Sequence, residues 1–194
     1  MLEFGPYIIK RAESPDEFTK IHQLNYETFV REIPQHHDTG SGLLVDKFHE
    51  KNTYLICLRE DRLVGMLCYH DQPPFSAAAR LSDVSVLEQP GMIIQEVRLM
   101  TVIPEERHTL VLPALVWELF QVARQNEATH FLISSIEQQR ELHLHIGFEL
   151  LGPDVGPPEA RYAPMLATVD RVGETMGRTM KLWERRLERA KKNA

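Results

Sequence analysis

Two charged side chains, Glu96 and Arg98, alternate with Val97 and Leu99 inside the otherwise mostly apolar segment 92–103, and they offer the clearest chemistry in the chain. If the segment is a β-strand, Glu96, Arg98 and Met100 share one face of it. Two charged groups on a buried strand are costly, so the pattern predicts a cleft or an ion pair. A carboxylate in a cleft can take a proton from an amine, which makes Glu96 our candidate general base. A Glu96–Arg98 ion pair without a chemical role is the alternative.

Arg98 has two further interpretations. A guanidinium group can orient a neighbouring carboxylate, or it can bind a substrate carboxylate in a bidentate way. Both interpretations require Arg98 to lie close to Glu96. In a strand, residues two apart lie on the same face, so the spacing of Glu96 and Arg98 meets this requirement. We therefore name Arg98 as a candidate substrate-binding residue.

Motifs for metal and nucleotide chemistry are missing from the sequence. The nine histidines form no metal-binding pattern, since His143 and His145 have a spacing that cannot share one helix face. HExxH, CxxC and EF-hand patterns are absent, so we expect no metal. GxSxG, Walker and GxGxxG patterns are absent too, which disfavours hydrolase, NTPase and dinucleotide-binding functions. Cys57 and Cys68 fall on predicted strands and are expected to be buried thiols.

A mixed set of strands and helices must position these residues. Apolar runs and Gly/Pro punctuation predict strands at 7–12, 54–59, 63–70, 92–103, 129–134, 148–151 and 162–169. Helical spacing predicts helices at 15–33, 110–125, 137–146 and 171–194. Ser14 and Glu17 form a capping box, which fixes the start of the first helix. We expect a loop at 34–52 and one helical turn near 81–87.

The order of these elements indicates one α/β (α+β) domain over residues 1–170, followed by a C-terminal helix over 171–194. The strands 54–59 and 63–70 form an antiparallel hairpin. The strand–helix–strand unit over 92–134 makes its two strands parallel neighbours. The expected result is a mixed, mostly antiparallel sheet with one parallel pair.

Charge is unevenly distributed along the 194 residues, whose net charge is −6. Residues 1–170 carry 14 Lys and Arg against 25 Asp and Glu, which argues against nucleic-acid binding. Residues 171–194 carry 8 against 3, on an amphipathic helix. That helix could dock on its own sheet, on a second copy in a homodimer, or on an acidic partner. The sequence shows no signal peptide and no membrane span, so a cytoplasmic protein is expected.

Three motifs in this order resemble the GNAT superfamily of N-acyltransferases, over roughly residues 5–170. The first is the strand 94–102 with the loop 104–107, and the second is the helix and Gly-Phe pair at 141–148. The third, 24–32, is similar to the autoinducer-synthase and N-acyl amino acid synthase branch. The resemblance implies an acyltransferase that moves an acyl group from acyl-CoA directly to a primary amine of a small molecule, with no tightly bound cofactor. It also implies that the parallel strands splay apart and that helices cover both faces of the sheet.

The resemblance assigns roles to further residues. Backbone amides at the end of the long strand would hold the acyl carbonyl, the donor arm would pass between the splayed strands, and the following loop would bind phosphates. The implied donor-binding residues are Thr101, Val102, Ile103, Arg107, His108, Thr109 and Ser134. His143 stands where the family often has a tyrosine that protonates the leaving thiolate, although a solvent-facing histidine is the alternative. Tyr26 and Phe29 are candidate substrate-binding residues along the acyl chain, or else core residues.

Two departures leave the donor open between acyl-CoA and an acyl carrier protein. The family has small residues where this chain has Leu110 and Leu112, and Pro113 lacks an amide donor, so a phosphate cradle is impaired. The autoinducer-synthase branch looks similar at this loop and takes acyl groups from acyl carrier protein. That branch, however, has an arginine where this chain has Asn25. A degenerate fold that only binds a ligand is the third alternative.

Overall fold

An eight-stranded sheet runs through the computed structural model, which describes residues 1–192. The strands are Leu2–Phe4 (β1), Tyr7–Arg11 (β2), Thr53–Arg59 (β3), Arg62–His70 (β4), Ile94–Val102 (β5), His130–Ile136 (β6), Glu149–Leu150 (β7) and Tyr162–Thr168 (β8). The helices are Pro15–Tyr26 (α1), Val111–Gln125 (α2), Arg140–His145 (α3) and Val169–Lys192 (α4). All of the predicted strands and helices are present. The structure also contains one strand, β1, that the sequence analysis did not predict.

The strand order across the sheet is β1-β2-β3-β4-β5-β6-β8-β7. All neighbours are antiparallel except β5 and β6, which are parallel and joined by α2. The predicted fold class, a mostly antiparallel sheet with one parallel pair, is therefore confirmed.

The first helix begins as predicted and ends differently. The hydroxyl of Ser14 accepts a hydrogen bond from the backbone N–H of Glu17, and the Glu17 carboxylate accepts one from the N–H of Ser14. After Tyr26 the chain continues as a π-helix over Glu27–Glu32. Segments of π-helix are rare in proteins, but those that occur are often found at functional sites. The wider turn changes which side chains face the rest of the fold.

Helices cover both faces of the sheet, as the resemblance implied. On one face, α2 and α4 bury Leu115 and Leu187 against strand residues that include Leu67 and Val97. On the other face, Ile21 of α1 packs in a second cluster. Long irregular segments also cover this second face, and the segment 71–93 contains two 3₁₀ turns, Ala78–Arg80 and Val84–Leu87, where one turn was expected.

The last helix packs on its own chain, against α2, β1 and β8. Val172, Met180 and Leu187 are its buried contacts. It follows β8 directly, and the predicted helical positions 193–194 lie outside the described residues. Within residues 1–192, no helix combines the length and the apolar character that crossing a bilayer requires. Cys57 and Cys68 are buried as predicted, and burial raises the pKa of the Cys57 thiol to about 12.

Candidate functional site

The parallel strands β5 and β6 separate part of the way along their length. They pair at three positions only, and the last pair is Glu96 with Leu132. β5 continues to Val102 on the β4 side, while β6 continues to Ile136 on the β8 side. A gap therefore opens between the carboxyl ends of two adjacent strands, the kind of place where α/β sheets bind ligands.

A β-bulge interrupts β5 next to this gap. Arg98 lies opposite Cys68 and Thr101 lies opposite Met66, so β5 has one residue more than β4 in this interval. Leu99 adopts a φ of 53°, a conformation that is strained for a residue with a side chain. The prediction that Met100 continues the face of Glu96 and Arg98 assumed an uninterrupted strand. The bulge breaks that alternation and leaves Met100 41% exposed.

Glu96 is fully buried and its carboxylate is enclosed by donors. It accepts hydrogen bonds from the N–H and hydroxyl of Ser76 and from the N–H of Ala77, each at 2.8 Å. His70 approaches its other side, with Nε2 2.8 Å from a carboxylate oxygen. Burial alone would raise the pKa of Glu96, but the donors from His70, Ser76 and Ala77 together lower it. Glu96 therefore fastens the segment after β4 to the sheet.

Arg98 pairs with a residue on the long loop between α1 and β3, and Glu96 is not its partner. Its two terminal nitrogens lie 2.6 and 2.9 Å from the two carboxylate oxygens of Asp46, and both side chains are largely buried. The guanidinium also lies over the ring of Phe48. Burial alone would lower the pKa of Arg98, but its contact with Asp46 raises it. The alternative of a Glu96–Arg98 ion pair is therefore not observed: Glu96 contacts His70, and Arg98 holds the loop through Asp46.

The aromatic rings of both irregular segments stack on His70. Its imidazole lies between the rings of Phe48 and Phe75, with centroid distances of 5.7 and 5.6 Å and nearly parallel planes. Glu96 and Arg98 thus stand beneath two loops whose aromatic side chains stack on one buried imidazole. Together these contacts form the wall of the gap on the α1 side of the sheet.

The end of β5 contacts the π-helix. The hydroxyls of Thr28 and Thr101 lie 3.0 Å apart in a buried position, which ties the π-helix to the strand just beyond the bulge. The N–H of Ile103 donates to the carbonyl of Val64, so this amide is already used. Val102 and Ile103 also line a cavity of about 210 Å³ that opens beside the π-helix, where Arg107 forms part of the wall.

The loop before α2 offers few groups to a phosphate. Arg107 donates to the carbonyl of Val102 and forms an ion pair with Glu32, while His108 is exposed. The hydroxyl of Thr109 accepts from the N–H of Val111, the first residue of α2.

The opposite wall of the gap is β6. Ser134 is exposed on the part of β6 that has left β5. Its neighbour Ser135 is fully buried, and the hydroxyl of Ser135 lies 2.7 Å from Nδ1 of His143 on α3. Burial lowers the pKa of His143, whose ring also meets the edge of Phe148. His143 is thus partly enclosed and held in place by a hydroxyl.

Tyr26 and Phe29 are buried and do not line the 210 Å³ cavity. The hydroxyl of Tyr26 donates to Asp38 on the long loop. The two residues therefore shape the π-helix and the loop that lies over it. The one sequence signal for several further residues of this region is that they are polar and lie within or beside apolar segments. Sequence reasoning missed five such residues: Thr28, Asp46, His70, Ser76 and Ser135.

Comparison with solved structures finds the same fold at low sequence identity. FeeM, an N-acyl amino acid synthase from uncultured soil microbes, has a TM-score of 0.71 and 13% identity, over 90% of this chain and 97% of that chain. BjaI, a CoA-dependent acyl-homoserine lactone synthase seen with SAM and isopentyl-CoA, has a TM-score of 0.66 and 17% identity, over 89% of each chain. A proposed GNAT-family acetyltransferase from Desulfovibrio desulfuricans has a TM-score of 0.56 and 14% identity, over 84% of this chain and 99% of that chain.

No family model matches the sequence, and no curated protein matches it. The predicted resemblance to GNAT-like N-acyltransferases and to the autoinducer-synthase and N-acyl amino acid synthase branch is confirmed at the level of the fold.

Proposed function

We propose that this protein is an N-acyltransferase that moves an acyl group from a thioester to a primary amine of a small molecule. The observation that carries the proposal is the separation of β5 from β6 beyond Glu96 and Leu132. This gap exposes strand ends that can receive an extended thioester arm, and the solved structures with the same fold include acyltransferases. The fold supports this reaction class, and the gap supplies a place for it.

The bulge in β5 is the best-placed group to polarise the acyl carbonyl. Leu99 and Met100 are out of register with β4, so their backbone leaves the regular ladder beside the gap. An N–H group freed in this way can donate to the oxygen that becomes negative during transfer. Because the N–H of Ile103 already donates to Val64, the amides nearer the bulge take this role in the proposed mechanism.

Glu96 remains our predicted base, under a condition that the structure sets. Its carboxylate already receives donors from Ser76 and Ala77, and it faces His70. It can accept a proton from an amine only when the segment 71–77 moves away from it. If the segment stays in place, Glu96 acts by positioning this wall, and the amine loses its proton to water or to another group.

The donor is acyl-CoA or an acyl carrier protein, and the start of α2 favours the second. A diphosphate at a helix N-terminus needs free backbone N–H groups. Here the N–H of Val111 is bonded to Thr109, and Pro113 has none. Among Val111, Leu112 and Pro113, only Leu112 keeps a free N–H, while His108 and Leu110 in the described loop before α2 also have free N–H groups.

The experiment measures thiol release and acylated product with a panel of small amines, using octanoyl-CoA and octanoyl acyl carrier protein as donors. Ser134→Trp should abolish transfer, because a large side chain would fill the gap. Ser85→Trp, at an exposed position outside the gap, is the matched control and should keep full activity. Full activity of Ser134→Trp would contradict the site.

Binding of either donor without transfer to any amine would favour the alternative of a ligand-binding module, for which the enclosed carboxylate of Glu96 is the supporting observation. The cytoplasmic location and a homodimer stay predictions.

A further inference from the structure

A serine on β6 and a histidine on α3 are joined beside the gap. The hydroxyl of Ser135 lies 2.7 Å from Nδ1 of His143. Ser135 lies three residues beyond Leu132, the last residue of β6 that pairs with β5. Because β6 pairs with β8 without a register shift, Ser135 shares a face with Phe131, whose ring contacts α2. The pair therefore lies beside the gap, on the face of the sheet opposite to Glu96.

The partners of the Ser135 hydroxyl suit a charged imidazole. Ser135 is fully buried, and its hydroxyl also lies 3.2 Å from the carbonyl oxygen of Ile136, which can only accept. A protonated histidine carries hydrogen on both ring nitrogens. Beside it, the hydroxyl accepts from Nδ1 of His143 and donates its one hydrogen to Ile136. Every partner of this buried hydroxyl is then satisfied.

The second ring nitrogen of His143 is available to a substrate. Within the part of the chain that the structure describes, Nε2 has no hydrogen-bond partner, and it is not one of the fully buried polar atoms that lack one. The ring also packs edge-on against Phe148, with centroids 5.8 Å apart. The protein thus holds the imidazole by Nδ1 and by one edge, and leaves Nε2 able to act.

We infer that Ser135 is a positioning residue for acyl transfer, which holds the hydrogen on Nδ1 of His143 and so presents the Nε2–H group to the leaving thiolate. This inference rests on the proposed function. The amine nitrogen forms the bond to the acyl carbon and gives its surplus proton to Glu96 or to water. The carbon–sulfur bond then breaks with its electron pair on sulfur, and the thiolate takes the proton of Nε2. The neutral imidazole regains a proton from solvent.

The hydroxyl of Ser135 is the contact with His143 that a variant can test cleanly. The charged groups on α3 and on the segments next to it are exposed or already paired: Glu137, Glu141, His145, Glu149, Arg161 and Arg171 are exposed, and Arg140 pairs with Asp154. Burial, and none of these charges, lowers the pKa of His143. A hydrogen-bond acceptor at Nδ1 favours the charged imidazole, so removal of the hydroxyl should lower this pKa further.

NMR titration of the imidazole nitrogens and kinetics on the full chain test the role of Ser135. The signals of His143 are assigned by their loss in His143→Phe, and in the unaltered protein they should show a hydrogen on Nδ1. Ser135→Ala should move both this titration and the pH profile of kcat to lower pH, and kcat at pH 7 should fall by about three- to tenfold. Ser135→Thr keeps the hydroxyl and should restore both. Ser85→Ala, at an exposed position outside the gap, is the control, and the titration of His145 is the internal reference.

Three results would overturn the inference: an unchanged His143 titration in Ser135→Ala, a fall in kcat without a shift of the pH profile, or a folded Ser135→Thr that behaves like Ser135→Ala. If the added methyl group prevents folding of Ser135→Thr, which circular dichroism shows, the titration of Ser135→Ala decides alone. A shifted titration in a protein that acylates no amine would reject the proposed function and keep the hydrogen bond. Transfer whose pH profile does not move in Ser135→Ala would keep the proposed function and reject the role of Ser135.

Discussion

Nε2 of His70 lies 2.8 Å from a carboxylate oxygen of Glu96, and both side chains are withdrawn from solvent. The other ring nitrogen of His70 lies 3.0 Å from the carbonyl oxygen of Gln72, which can only accept, so that nitrogen carries a hydrogen. Burial alone would raise the pKa of Glu96, but the donors of Ser76 and Ala77 and the contact with His70 together lower it.

Removing one partner of this pair should be strongly destabilising. In Glu96→Gln the amide oxygen cannot accept all the hydrogen bonds that Ser76 and Ala77 donate, so a buried donor loses its acceptor. A buried donor left without an acceptor costs about 1–3 kcal/mol of unfolding free energy. Urea denaturation at pH 7 measures it. Glu88→Gln, at an exposed position, is the control and should change stability by less than about 0.5 kcal/mol. A loss of the same small size in Glu96→Gln would contradict the role of these hydrogen bonds in stability.

The capping box of α1 gives a prediction with a defined pH window. The pKa of Glu17 is lowered to about 2, because hydrogen bonds from the N–H groups of Glu13 and Ser14 and from Lys10 outweigh its burial. A lowered pKa stabilises the fold above the unfolded value of 4.5, and this contribution disappears as the pH falls toward 2. Glu17→Gln should therefore cost about 1 kcal/mol at pH 7 and progressively less between pH 4.5 and 2.

Denaturation of both proteins across this range checks the window. Glu13→Gln is the matched control, since that side chain is exposed. A cost that stays constant down to pH 2 would show that the charge of Glu17 does not matter.

Local signals predicted the regular part of the fold. The capping box and the apolar spacing belong to neighbouring residues, so the start of α1 follows from the sequence alone. The hairpin β3–β4 and the crossover from β5 to β6 follow from run lengths and connection rules. The π-helix could not be predicted from the sequence, because one extra residue per turn leaves the spacing of the apolar residues almost unchanged. β1 was missed because three residues next to a Gly-Pro turn give too short a signal.

The sequence identified two charged residues of the candidate site but none of their contacts. Charge within an apolar strand pointed to Glu96 and Arg98, whose neighbours His70 and Asp46 lie in distant segments. No spacing rule connects those segments, because loops that are irregular in sequence bring them together. The bulge at Leu99 could not be predicted for a similar reason. Nothing in the residue types of β5 marks the point where its pairing with β4 shifts by one residue.

Gly65 marks a close contact between β4 and the start of α2, and an added methyl group should disturb it. A Cβ there would lie 2.8 Å from a methyl carbon of Val111 and 3.2 Å from one of Val102. Gly65→Ala should cost about 1–3 kcal/mol by overpacking. Gly177→Ala is the contrasting control, because that glycine lies within α4 with nothing within 4 Å, and it should gain about 0.5–1 kcal/mol. The melting temperatures of the two variants should therefore shift in opposite directions. A neutral Gly65→Ala would contradict the tight packing between β4 and the start of α2.

The last prediction concerns the proton that the leaving thiolate needs. If His143 supplies it, kcat should fall as the pH rises through a pKa below 6.5, because burial lowers the pKa of this imidazole. His143→Phe keeps the contact with Phe148 and removes the proton, so kcat should drop about a hundredfold and lose this pH dependence. His145→Phe, at an exposed position on the same helix, is the control and should keep the profile. An unchanged pH profile in His143→Phe would assign the proton to water, and His143 would then serve only to hold Ser135.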